Sequence, residues 1–88
     1  MKPPAEELAE LLADYRRALA PRIRRMRGHF AARRYEALRR ELHSLAGSAG
    51  TFGLPEVGRA ALEAETCLEA GGKGLGGLLR RLEEISRA

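Results

Sequence analysis

Apolar residues recur at three- and four-residue spacing along most of this 88-residue chain, which is the period of an amphipathic helix. The first run is Leu8, Leu11, Leu12, Tyr15, Leu19, Ile23, Met26 and Phe30. Its phase is unbroken across Pro21, so it reads either as one long kinked helix or as two helices meeting there. Pro3 and Pro4 mark its start, and Glu6 and Glu7 suit the positive end of a helix. A second run, Tyr35, Leu38, Leu42, Leu45, Ala49 and Phe52, is closed by Gly53-Leu54-Pro55. A third, Val57, Ala61, Ala64 and Leu68, is closed by Gly71-Gly72, and the last is Leu75, Leu78, Leu79, Leu82 and Ile85. The first connection falls near Ala32 to Arg34. No segment alternates with a period of two, and no internal repeat is visible. Four amphipathic runs with short Gly or Pro connections predict an all-α fold. We expect an antiparallel up-down four-helix bundle, a single domain over residues 1–88.

Composition agrees, since Ala, Leu, Glu and Arg dominate and β-branched residues are few. A chain this short buries a limited core and depends on efficient packing. The single cysteine, Cys67, allows no internal disulfide and reads as a small packed hydrophobe at the edge of its stripe. One Cys and two separated His make no zinc pattern, so no metal site of its own is expected. The apolar runs are too short to span a bilayer and no signal-peptide core precedes them. The expectation is a cytoplasmic protein without a membrane partner.

Net charge is +4 and the pI is near 10.0, which favours an acidic partner. The arginines between Arg16 and Arg40 share the chain with Glu6, Glu7, Glu10, Asp14, Glu36 and Glu41, and aromatic residues are scarce. With no recognition-helix signature either, a nucleic-acid partner is not expected. The stretch GGKGLGG lacks the G-x-x-x-x-G-K-[ST] spacing and a preceding strand, so it reads as a connection and not a phosphate loop.

The stretch ELHSLAGSAGTFG, Glu41 to Gly53, carries the chemistry. At about 100° per residue, His43 lies roughly 130° from the direction of Leu38, Leu42, Leu45, Ala49 and Phe52. It therefore faces solvent. Arg39 and Arg40 precede it by one turn, Ala46 and Gly47 follow by one turn, Gly50 follows by two, and Ser44 and Ser48 lie to one side. Glycine inside a helix costs about 0.5–1 kcal/mol relative to alanine, and this run accepts it at Gly47 and Gly50. Either another body approaches the backbone beside the histidine, or the glycines permit tight packing against a neighbouring helix. No Cys or Ser is placed for a triad with His43. His29 reads as a surface or boundary histidine. An exposed neutral imidazole is a good nucleophile near pH 7, and its attack on phosphorus gives a labile phosphohistidine. Arg39 and Arg40 would support the phosphoryl oxygens, while Ala46, Gly47 and Gly50 would leave room for a docking partner.

These residues resemble a known family. HSLAGSAGTFG is similar to the signature of histidine-containing phosphotransfer (HPt) domains, roughly H-x-L-K-G-x-x-x-x-x-G, with His43, Leu45, Gly47 and Gly53 on the pattern. The stretch Arg33 to Glu65 looks like the family's two central helices. GTFGL is also similar to the phosphotransfer module of chemotaxis histidine kinases. The resemblance implies a phosphocarrier rather than a self-sufficient enzyme. It would relay a phosphoryl group between His43 and the aspartate of a receiver domain in two-component signalling. The implied partners are a response-regulator receiver or a histidine kinase. The chain would need no cofactor of its own, with Mg²⁺ bound by the receiver. One departure is Ala46, where the signature has lysine. It leaves two alternatives: a bundle that docks an acidic receiver surface without transfer, and a separated phosphotransfer module of a chemotaxis-type kinase.

Overall fold

The computed structural model describes residues 4–87. Four helices run in chain order: α1 Pro4–Ala31, α2 Tyr35–Ser48, α3 Pro55–Glu69 and α4 Leu75–Arg87. There is no strand among the described residues. The connections are short enough that consecutive helices must lie antiparallel. Each helix packs on two neighbours, α1 with α2 and α4, and α3 with α2 and α4, which is the up-down bundle the spacing predicts.

The turns share one device. Leu54 N–H reaches Ala49 C=O at 2.8 Å and Gly53 N–H reaches Gly50 C=O at 3.1 Å, with Gly53 at φ 79°. This pair of bonds around a left-handed residue is a Schellman motif. The same pair recurs after α3, where Gly71 has φ 114°, and after α1, where Arg33 stands at φ 59°. Arginine in the left-handed region carries a penalty of about 1–2 kcal/mol that glycine avoids. Pro55 opens α3 at a position whose N–H has no helical partner in any case.

Leu19, Ile23 and Met26 of α1 meet Leu38, Leu42 and Leu45 of α2, the alanines of α3, and Leu75, Leu79 and Leu82 of α4 in one core. Fully burying each large side chain contributes about 1.5–3 kcal/mol. Ala60, Ala61 and Ala64 are small, so α3 can approach α2 and α4 closely.

The alternative left open at Pro21 resolves to one long helix: α1 runs through the proline as a single element of 28 residues. Other expectations need correction. Leu8 and Leu11, placed by their spacing in the core stripe, are 56% and 57% exposed. The reason is length, because α1 extends about 42 Å at 1.5 Å per residue, while the other helices have 13 to 15 residues. The first turns of α1 have no neighbouring helix to lie on among the described residues. Tyr35 at the start of α2 is likewise exposed rather than in the core.

Phe52 also differs. Regular α2 ends at Ser48, and residues 49 to 53 continue as turns. From this segment the Phe52 ring stacks on Tyr15 of α1, with centroids 4.2 Å apart and planes 3° from parallel. Tyr15 Oη shares a 2.7 Å hydrogen bond with Ser48 Oγ. α1 thus clamps the end of the helix that carries the histidine.

Candidate functional site

His43 stands on the outer face of α2 with its side chain 74% exposed. Its core-side neighbours, Leu42 and Leu45, are fully buried, so the helix has no rotational freedom to turn the ring inward. The imidazole nevertheless has one partner. Its Nδ1 lies 2.9 Å from Oε2 of Glu65 on α3. Glu65 is the one buried charged residue among those described, 6% exposed, and no buried side-chain polar atom there lacks a partner.

This contact has a chemical consequence. An ionised carboxylate only accepts hydrogen bonds. Nδ1 then carries the proton and donates, and the lone pair is left on Nε2, which points away from α3. A buried carboxylate is costly unless it is hydrogen-bonded, so the pair fixes both partners. The sequence reading did not single out Glu65. Its signal was present: it falls four residues after Ala61, inside an otherwise apolar stripe, where a charged residue needs a partner.

The two arginines part company. Arg39 forks onto Glu36 one turn back, with Nε 3.1 Å and Nη2 2.7 Å from the two carboxylate oxygens. The Glu36 hydrogen bond and charge raise the Arg39 pKa, and the nearby charges of Glu65 and Glu69 add to this. Glu36 is lowered in turn, chiefly by the hydrogen bond from Arg39. Arg40 is exposed and has no ion-pair or hydrogen-bond partner among the described residues. It lies on the opposite flank of His43, lining a shallow groove between α1 and α2.

The small residues also divide. A Cβ built on Gly47 or Gly50 meets no described heavy atom within 4 Å. Tight helix packing is therefore not their role. That role belongs to Gly58 on α3, where a Cβ would stand 3.5 Å from the Ala46 carbonyl oxygen and 3.6 Å from Ala49 Cβ. Gly50 lies in the turns after α2, so the interior-glycine cost applies to Gly47 alone. Ala46 is half-buried against the core at the α2–α3 seam, and is the least accessible of the three residues expected to leave docking room.

His29 is half-buried, and its Nδ1 accepts a 3.1 Å hydrogen bond from Arg34 Nε. Cys67 is half-buried and its Sγ reaches the Lys73 carbonyl at 3.2 Å. No described helix is long and apolar enough to cross a membrane. A family model described as Hpt domain matches residues 6–87, nearly the whole chain. Comparison with curated proteins and with solved structures found no match.

Proposed function

Because the chain belongs to the Hpt domain family, whose members are phosphocarriers acting with kinases and receivers in two-component signalling, we propose that His43 is its phosphoryl-carrying residue. The observation that carries this reading is the pairing of an exposed ring with a buried carboxylate, 2.9 Å apart at Nδ1. It leaves a nucleophilic Nε2 facing solvent in a helix stripped of bulk at Gly47.

In this reading the receiver's phosphoaspartate is the donor and acceptor partner. The Nε2 lone pair attacks phosphorus opposite the acyl oxygen. The N–P bond forms as the P–O bond to the aspartyl group breaks, and the aspartate carboxylate leaves with the electron pair. The ring becomes cationic with its proton still on Nδ1, where the Glu65 carboxylate offsets the new charge. The reverse path returns the phosphoryl group. Arg40, which makes no hydrogen bond or ion pair among the described residues, supplies a cation to the phosphoryl oxygens, and Arg39 acts mainly through Glu36 and the field at Glu65. Gly47 and Gly50 leave the approach open. Mg²⁺ belongs to the receiver.

One observation favours a second reading. Ala46 replaces the signature lysine and the Arg39 fork is occupied by Glu36, so the site has few free cations. The alternative is docking to a receiver without transfer. Incubation with phosphorylated receiver domains separates the two. The expected result is an acid-labile, base-stable phosphoryl group that mass analysis locates on His43, and no label in His43→Gln. Label on His29 overturns the assignment. Binding without any label supports docking alone.

A further inference from the structure

Beside His43, Arg22 and His29 of α1 face Ala37, Arg40, Glu41 and Ser44 of α2 across a groove of about 240 Å³. Its polar groups are mostly donors. Arg22 Nη2 donates to Ser44 Oγ at 2.8 Å, which holds the guanidinium next to the residue that follows His43. Arg22 Nε is 3.7 Å from Glu41, a loose pair with the one acid in the wall. The Arg22 side chain is only 19% exposed, so little rotamer freedom remains to be lost on binding. Arg40 makes no hydrogen bond or ion pair among the described residues, and its charge acts on Glu36. At the far end, His29 Nδ1 accepts from Arg34, so a neutral His29 ring carries its proton on Nε2 and is itself a donor.

We propose that this groove is a second anchoring point for the docking partner, seating an acidic side chain of the receiver between Arg22 and His29, with Arg40 at the groove's α2 wall left to the phosphoryl group, while His43 meets the phosphoaspartate. The inference rests on the phosphotransfer reading and adds to it where specificity is set. Two donor groups facing the one carboxylate of Glu41 select an anion. Guanidinium groups suit this role because their planar fork matches a carboxylate. The groove lies on the α1 side of α2, whereas Glu65 holds the ring from the α3 side. Docking and ring orientation are therefore served by separate residues.

The test uses the full chain and a receiver domain that accepts the phosphoryl group from His43. Arg22→Glu should raise the KM for that receiver about tenfold and leave kcat within about twofold. Arg22→Gln keeps a donor for Ser44, and should raise KM only about two- to threefold, in line with the small worth of a partly exposed ion pair. The parent's KM should climb with salt, and the Arg22→Glu curve should be flatter. An acid-to-lysine change on the receiver should restore the KM of Arg22→Glu. Circular dichroism melts identify a variant that has unfolded, and Arg22→Gln then carries the test. Unchanged KM in both folded variants, or a fall in kcat alone, overturns the groove. Absence of transfer from the parent chain to any receiver instead overturns the phosphotransfer reading.

Discussion

Glu65 is 6% exposed while the imidazole it holds is 74% exposed, so the strength of their bond depends on how far solvent reaches it. A hydrogen bond to a charged group contributes about 1.5–3 kcal/mol, and solvent around the ring places this one at the lower end. About 1.4 kcal/mol is tenfold. Glu65→Ala should therefore slow phosphorylation of His43 about tenfold, without loss of fold, since alanine joins Ala61 and Ala64. Glu65→Gln keeps an acceptor oxygen but not the charge, and should fall between. The check is nitrogen NMR of the ring: the parent should hold its proton on Nδ1, and Glu65→Ala should shift it toward Nε2. Equal rates and an unchanged tautomer would show that the carboxylate merely fills space.

At the scale of the helices, the α2–α3 seam and the outer face of α2 use glycine for opposite ends. A Cβ at Gly58 would already be in van der Waals contact with Ala46, Ala49 and Gly50, so a larger side chain has to displace them, while Gly47 faces open space. Gly58→Leu should force α2 from α3, draw Glu65 off the ring, and cost about 1–3 kcal/mol as overpacking does. Gly47→Leu should leave stability level or raise it by up to about 1 kcal/mol through helix propensity, yet slow transfer from a receiver. Urea midpoints and transfer rates for the two variants, measured side by side, check both halves. Equal losses of stability would mean that Gly47 packs against something and is not kept clear.

Over the whole molecule, the long α1 is held to the far edge of the bundle by charge as well as by its core stripe. Arg27 Nη1 sits 2.5 Å from Glu83 Oε2 on α4, and Arg87 reaches the other oxygen of the same carboxylate at 2.6 Å. The Arg27 hydrogen bond is the largest cause holding the Glu83 carboxyl below its ordinary value of 4.5. A carboxyl lowered in the folded state contributes fully above the unfolded value. Its contribution is lost as pH falls through the folded value, when both states are protonated. The bundle should thus weaken below about pH 4.5, and Glu83→Gln should flatten that acid limb while lowering stability at pH 7. Urea midpoints from pH 7 to pH 3 test this. A parallel drop in both proteins would show that other groups govern acid unfolding.

Periodicity alone determined the four helices, their order and most of the core, because burying one stripe per helix leaves few arrangements when connections are short. The exposed direction of His43 was legible for the same reason: Leu42 and Leu45 fix the rotation of α2 about its axis. Local spacing carries no information on where a stripe runs out of partners, so Leu8, Leu11 and Tyr35 were misplaced. Nor could it divide Arg39 from Arg40, or Gly47 from Gly58. Those distinctions depend on which neighbour each residue meets, and only the packing of α1 and α3 around α2 decides that. The His43–Glu65 pair joins positions 22 residues apart in the chain. Its acidic half was visible as a charge in an apolar stripe, but the imidazole it serves became known only when the two helices were brought together.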